Sequence, residues 1–325
     1  MVMPATGGLP RPSMHYGRIR GVEKTVSRVV MGTFTLTTPD SAVLCDEFVA
    51  RGGNCFDTAH IYNEGVSETI LGRWIASRKL REQAVILGKG AHTPFCTPAD
   101  VAWQLAESLE RLQTDYIDLY MLHRDNLDVP VGEFITVLNA HRDAGHIRAF
   151  GASNWSIRRI EEAQEYARLH GLAGFSAVSN QFSLARMIEP PVEGCVSAWD
   201  AASRDWLTRT QIALMPWSSQ AAGFFTGCVR PDDGSDPEFA RSWHSTENFA
   251  RLERATETAL RRGVPTIAVA LAYVLCQPFP TFPLIGPRSL IELDTSLLGL
   301  DVPLTESECL WLEGELDTEN AFVPE

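Results

Sequence analysis

A chain of 325 residues with 45% hydrophobic and 21% charged side chains has an ordinary globular mix and enough length to bury a core without staples. Its formal net charge of −13 argues against nucleic acid or an anionic membrane as a main partner, since either calls for a basic face. Seven cysteines, widely spaced and without a C-x-x-C, are poor material for a disulfide framework or a zinc site.

The chain opens on a Pro/Gly-rich segment, residues 1–13, with no apolar h-region of a signal peptide. That segment is expected to be loose. No run approaches 18 apolar residues, so a cytoplasmic protein is expected. HYGRIRGVEKTVSRVV then reads as a short β-hairpin. From there strand-like runs recur: SRVVMGT (27–33), CFDTA (55–59), VILGKG (85–90), YIDLYMLH (116–123), IRAFGAS (147–153), AVSNQFS (177–183), IALMPWS (212–218) and TFPLIGP (281–287). The ends of the first seven are 24 to 36 residues apart, the spacing of βα units. Helical stripes fill the gaps, among them Ile70, Leu71, Trp74 and Ile75, then Val101, Leu105, Leu109 and Leu112. Another stripe is Ile157, Ile160, Ala163 and Ala167, opening after Ser156 as N-cap.

Most of the strands are continuously apolar, as when both faces of a parallel sheet are buried. Eight such units predict one (β/α)8 TIM-barrel domain over 1–325, with the N-terminal hairpin plugging its floor. A doubly wound sheet would want G-x-G-x-x-G after its first strand, and VVMGTFTLTTP lacks it. The 69 residues from Trp217 to Gly286 exceed one helix; a loop over about 219–246 and two helices are expected there. A helix is also expected in the tail from Leu304. Pro283 disfavours a central strand, so pairing is expected to begin after it.

In such a barrel the working residues stand at the carboxyl ends of strands. Those ends supply Asp57, Lys89 and His123, and Tyr62 hangs in the loop after Asp57 in FDTAHIYNEG. Each alone could be a cap, a solvated residue or packing; the joint placement carries the reading. A phenol with a reference pKa of about 10 is a poor acid at neutral pH. A nearby ammonium is expected to bring it toward the working range, Asp57 to position that ammonium, and the imidazole to hydrogen-bond a substrate oxygen. This is a proton donor aimed at a carbonyl oxygen, a complement to hydride delivery at the carbon.

FDTAHIYNEGVSETILG, VILGKG, LQTDYIDLYMLH, GASNWS, SNQFS and LIGPRS, found in that order, resemble the successive motifs of the aldo-keto reductases. The resemblance implies a tetrad of Asp57, Tyr62, Lys89 and His123, with Tyr62 the general acid–base. It implies an extended nicotinamide cofactor across the barrel mouth. Gly32 and Thr33 would lie along the nicotinamide ribose; Ser153, Asn154 and Gln181 would hold the carboxamide; Trp217 would stack on the ring. Ser153 and Asn154 could equally form a turn, and Gln181 and Trp217 could fill the barrel. Gly286, Arg288 and Ser289 would grip the adenosine end beside a helix N-terminus.

Three positions depart from the family pattern, one of them Ser296, which stands where an Asn is frequent. Glu292 stands where a Gln or Arg is frequent, and a carboxylate there repels a 2′-phosphate. NADP (NADPH) is put first because of Arg288, with NAD as the alternative. Asn63 stands where Gly is frequent, and Asn tolerates left-handed backbone. Phe34, Trp155, Phe224, Phe225 and Trp243 are the candidates for an apolar or stacking substrate pocket, each with loop packing as its other reading. The expected activity is reversible reduction of an aldehyde, ketone or sugar carbonyl by a small-molecule enzyme; the alternative is a nicotinamide-binding, redox-sensing regulatory subunit. A barrel hydrolase or isomerase has no metal cluster or paired strand-end carboxylates to support it.

Overall fold

The structure, a computed structural model, describes residues 13–317; the segment expected to be loose lies outside them except for Ser13. Strands β1 (Tyr16–Gly17) and β2 (Val26–Ser27) form an antiparallel hairpin. The barrel follows as β3 (Val30–Gly32), α1 (Val43–Ala50), β4 (Cys55–Asp57), α2 (Val66–Arg78), β5 (Val85–Gly90), α3 (Pro98–Leu112), β6 (Ile117–Leu122) and α4 (Val131–Asp143). It continues through β7 (Ile147–Ser153), α5 (Ile157–Leu169), β8 (Ala177–Ser179), α6 (Ala201–Thr210) and β9 (Ala213–Leu214). Then come α7 (Pro237–Trp243), α8 (Thr246–Arg262), α9 (Thr266–Leu275), β10 (Leu284–Ile285), α10 (Leu290–Leu297) and α11 (Glu306–Glu313).

The eight barrel strands are parallel, in the order β10-β3-β4-β5-β6-β7-β8-β9. The ends of that order meet: Leu214 N donates to Pro280 O at 2.8 Å, Phe282 N to Leu214 O at 2.8 Å, and Leu284 N to Pro216 O at 3.0 Å. The barrel is therefore closed, and pairing toward β9 starts before Pro283 rather than after it. Proline lacks an N–H but keeps its carbonyl, and Pro283 O accepts from Val30 N at 2.9 Å.

Side chains alternate across a strand, so every second residue faces the barrel axis. That inner row comprises Val30, Cys55, Val85, Leu87, Leu119, Met121, Ala149, Ala177, Ala213, Met215 and Leu284, all buried in one cluster. Ile19 and Val22 of the hairpin turn belong to the same cluster and seal the floor, as the sequence predicts. The other row packs outward on the helices: Phe56 meets Phe48 of α1 at 5.6 Å and Trp74 of α2 at 5.1 Å between ring centroids. Gly72 lets α2 approach α3, because a Cβ there would lie 2.5 Å from the Arg111 carbonyl oxygen.

The segment 219–246 is more ordered than a loop. It holds a 3₁₀ turn, Ala221–Thr226, and α7, whose N-terminus is capped by Asp236 Oδ1 accepting from Phe239 N at 3.0 Å. No single helix among the described residues is long and apolar enough to cross a membrane.

Candidate active site

The inner row turns polar at the mouth. Asp57 follows Cys55, Lys89 follows Val85 and Leu87, and His123 follows Leu119 and Met121, each two residues further along the same face. Parallel pairing runs on past the strand ends: His60 N donates to Lys89 O at 2.8 Å and His123 N to Gly90 O at 2.6 Å. Three neighbouring strands thus deliver a carboxylate, an ammonium and an imidazole to one level. All three residues are buried, with 2%, 3% and 7% exposure.

Tyr62 comes back over them on a left-handed loop. Asn63 and Glu64 have φ of 50° and 55°, and Gly65 has φ of 86° as it enters α2. Asn63 holds this conformation by donating to Phe34 O at 2.7 Å and Ser67 Oγ at 2.8 Å. Arg111 of α3 braces the loop from below through His60 O at 3.0 Å and the buried Glu68 carboxylate at 3.2 Å. Lys89 Nζ donates to Asp57 Oδ1 and lies 4.9 Å from the Tyr62 ring centroid. The Tyr62 ring meets His123 edge-on at 5.8 Å and Phe34 at 5.3 Å. All four candidate catalytic residues converge.

Their ionisation follows from burial. Desolvation, the largest cause, lowers Lys89 and raises Asp57, and the attraction between the two opposes both shifts. Burial, then the charges of Lys89, Arg124 and His92, hold His123 well below the usual imidazole range, so it is neutral. Burial, then Asp57, hold the Tyr62 phenol well above its ordinary value, and the cation that opposes them is Arg124. This corrects the expectation that Lys89 brings the phenol toward the working range: Lys89 is spent on Asp57, and in this site the phenol is a held proton.

The residues considered for a nicotinamide fall into two groups. Thr33 Oγ1 is buried without a partner, an added Cβ at Gly286 would meet nothing within 4 Å, and Trp217 stands half-buried at the top of the inner row. A cleft of about 590 Å³, lined by Phe34, Thr35, Asn63, Arg288 and Ser289 among others, runs from beside Tyr62 to the start of α10. Gly32 ends β3 beside it. These features fit an extended dinucleotide. Ser153, Asn154 and Gln181 are instead engaged by the protein. Asn154 Nδ2 donates to Ser153 Oγ at 3.0 Å and His123 O at 3.3 Å; Oδ1 accepts from Trp217 Nε1 and from Val196 N, both at 3.1 Å. Gln181 Oε1 accepts from Ser197 Oγ at 3.0 Å, and Ser153 Oγ donates to Ser179 O at 2.7 Å. A carboxamide would have to exchange some of these bonds.

At α10, Ser289 Oγ caps the helix by accepting from Glu292 N at 3.2 Å, while Glu292 Oε2 accepts from Arg288 N at 2.7 Å. The carboxylate therefore occupies a backbone donor at the helix N-terminus.

Of the five pocket candidates, Phe34 is exposed beside Tyr62. The other four are core. Trp155 packs on Phe134 and Phe175 and donates its indole N–H to Arg124 O at 3.1 Å. Phe224 and Phe225 pack on each other, with Phe249 against Phe224, and Trp243 is 2% exposed. The 3₁₀ turn and α7 fold these rings inward, which a reading of the segment as an open loop could not anticipate. Arg124, absent from the residues expected at the site, is buried next to His123 at the end of YMLHR; its signal in the sequence is a cation immediately following a strand-end imidazole.

Residues 28–313 match the aldo/keto reductase family. The chain belongs to that family. Similar curated proteins include a putative aryl-alcohol dehydrogenase, AAD14, of Saccharomyces cerevisiae, 27% identical over 94% of this chain and 88% of the relative. Norsolorinic acid reductase stcV of Emericella nidulans is 28% identical over 90% of this chain and 75% of its own. A crystal structure of a thermostable aldo-keto reductase, Tm1743, with the inhibitor epalrestat superposes with a TM-score of 0.74 at 19% identity, covering 93% of this chain and 100% of that one; it bears out the barrel fold. Membership supports an oxidoreductase that reduces a small-molecule carbonyl; aldo-keto reductases as a family generally use a nicotinamide cofactor.

Proposed function

We propose that this protein is an NAD(P)(H)-dependent oxidoreductase that reversibly reduces an aldehyde, ketone or sugar carbonyl to an alcohol, with Tyr62 as general acid–base. The observation that carries the reading is the Tyr62 phenol set over the buried Lys89–Asp57 pair and against the neutral His123 imidazole.

Asp57 anchors Lys89, and the pair fixes the floor on which the phenol rests. Tyr62 holds its proton until a carbonyl oxygen arrives within reach, then donates it as negative charge develops there. Burial of the phenol raises the free energy of its anion, so the proton leaves only as negative charge develops on the substrate oxygen, and the nearby Arg124 charge offsets the phenolate left behind. His123, neutral, orients the same oxygen by a hydrogen bond from its imidazole. In the reverse direction Tyr62 takes the alcohol proton back. Gly32, Thr33, Trp217, Gly286, Arg288 and Ser289 would hold a nicotinamide cofactor, which would provide the hydride for the carbonyl carbon, with Ser153, Asn154 and Gln181 reaching its carboxamide after exchanging present bonds.

NADPH is put first, on Arg288. Glu292, bonded to the Arg288 N–H, favours NADH as the second reading. The test of the acid is Tyr62→Phe. We expect reductase kcat to fall about 10²–10⁴-fold while cofactor affinity, read by quenching of tryptophan fluorescence, stays within a few-fold. Wild-type turnover in that variant on a good aldehyde substrate overturns the assignment.

A further inference from the structure

Arg124 follows His123 directly, and the mechanism above gives it no contact with substrate. It is 7% exposed. A guanidinium stays charged at any ordinary pH, and a buried charge is normally paired. Among the described residues no carboxylate lies within ion-pair distance of Arg124. Its sequence neighbour Asp125 is taken by Arg159, which donates to both carboxylate oxygens at 2.9 and 3.0 Å.

The partners that Arg124 does have are neutral and weak. One terminal nitrogen donates to the carbonyl of His123 at 3.0 Å. The other lies 3.4 Å from Cys195 Sγ, a thiol that burial keeps protonated and a poor acceptor. The Nε–H is buried and has no partner. Nε and the nitrogen facing Cys195 form one edge of the guanidinium, the two-pronged edge that matches a carboxylate. That edge has only the Cys195 thiol as partner, follows the strand that presents His123, and lies against the loop carrying Glu193, Gly194 and Cys195, where a Cβ added at Gly194 would come 3.8 Å from Nε; Glu193 and Gly194 are exposed.

We propose that Arg124 is a subsite for a carboxylate carried by the carbonyl substrate, taken on its Nε edge in place of the Cys195 contact. The inference rests on the carbonyl-reductase reading, and it narrows the substrate class to carbonyl compounds that also bear an acid group. The carboxylate supplies the charge that the burial of Arg124 lacks. It also ties the substrate to the residue adjoining His123, so that the carbonyl is delivered to the imidazole and phenol in a fixed orientation.

The test compares 4-carboxybenzaldehyde with benzaldehyde, and succinic semialdehyde with butanal, in wild-type protein and in Arg124→Met and Arg124→Lys. For at least one pair, wild-type kcat/KM should favour the acid about 10- to 100-fold, the size of a charge-assisted, two-pronged contact. Arg124→Met should bring that ratio to near one, and Arg124→Lys should leave an intermediate ratio. The ratio is insensitive to a general loss of folded protein. Calorimetric binding of 4-(hydroxymethyl)benzoate against benzyl alcohol provides a readout that needs no turnover. Should no aldehyde be reduced while the benzoate still binds in an Arg124-dependent way, the reductase reading fails and the subsite stands. A wild-type enzyme with no preference for either acid, or an Arg124→Met that slows both members of each pair equally, overturns the subsite and leaves Arg124 a structural cation under the loop.

Discussion

Replacing Lys89 with Met removes the cation from Asp57 while keeping most of the aliphatic stem. Both side chains are 3% exposed, so the carboxylate is left buried and alone. Removing one member of a buried pair costs about 3–5 kcal/mol. An unfolding entropy of roughly 2.1 cal/mol/K per residue over 325 residues comes to about 0.7 kcal/mol/K, so Tm should fall by roughly 4–7 °C at neutral pH. The deficit depends on pH with a definite sign. Burial already holds Asp57 above the ordinary carboxyl value, and loss of Lys89 raises it further. The folded variant then keeps a proton that the unfolded chain releases at about 3.9, so its stability falls as pH rises from there through the folded value. The loss is smallest near pH 4 and largest at neutral pH and above. Asp57→Asn combined with Lys89→Met removes both charges and should recover most of the stability without restoring turnover. Thermal unfolding followed by circular dichroism at pH 4.5 and pH 8, with the single and double variants in parallel, reads all three effects. A deficit that is the same at both pH values, or a double variant whose loss equals the sum of the singles, refutes the coupling on which the site is built.

Two further outcomes follow from the same geometry. Glu292→Gln removes the negative charge beside Arg288 while keeping an acceptor for its N–H, and KM for NADPH relative to NADH should drop about 5-fold, the size of a 1 kcal/mol charge effect; an unmoved ratio places Glu292 away from the phosphate. Phe224→Ala should cost about 3–5 kcal/mol of stability and leave the ranking of aldehyde substrates unchanged, because the ring is fully buried among Phe225, Phe239 and Phe249. A new substrate ranking with an unchanged Tm returns Phe224 to the pocket.

The barrel was legible because its signals are local and repeated. Each strand run carries its own apolar content, and each helix its own stripe and cap, as with Ser156 Oγ accepting from Arg159 N at 3.3 Å. The tetrad was legible for a related reason: Asp57, Lys89 and His123 stand two residues beyond apolar inner-row positions, and a period of two can be counted without coordinates. What failed were properties set by packing between distant segments. Trp155, Phe224, Phe225 and Trp243 lie in segments whose polarity resembles that of loops; Phe134 and Phe175 take Trp155 inward, and the packing of the 3₁₀ turn, α7 and α8 takes the other three. The state of Tyr62 departs from the sequence expectation for the same cause. Residue identity supplies a nearby amine, but the depth of burial and the pairing of that amine with Asp57 decide the sign of the shift.

The charge of the mouth runs against that of the molecule. The chain carries −13 overall, yet the mouth holds two buried cations, Lys89 and Arg124, against the strand-end acid Asp57, with His123 held neutral and the nearby Glu68 already paired with Arg111. Surface acids act through water and salt, which screen them over about 8–10 Å; the buried cations are screened far less. At the point of reaction the local balance prevails, and it is positive by one charge. A site of this kind does not attract anions from solution across an acidic surface, so selectivity for an acid-bearing substrate has to arise after entry, from the fixed edge of Arg124 and the short path from it to His123. That separation explains how an acidic protein can still select for an anion: the global charge keeps it from polyanions, while one buried guanidinium recognises a single carboxylate at close range.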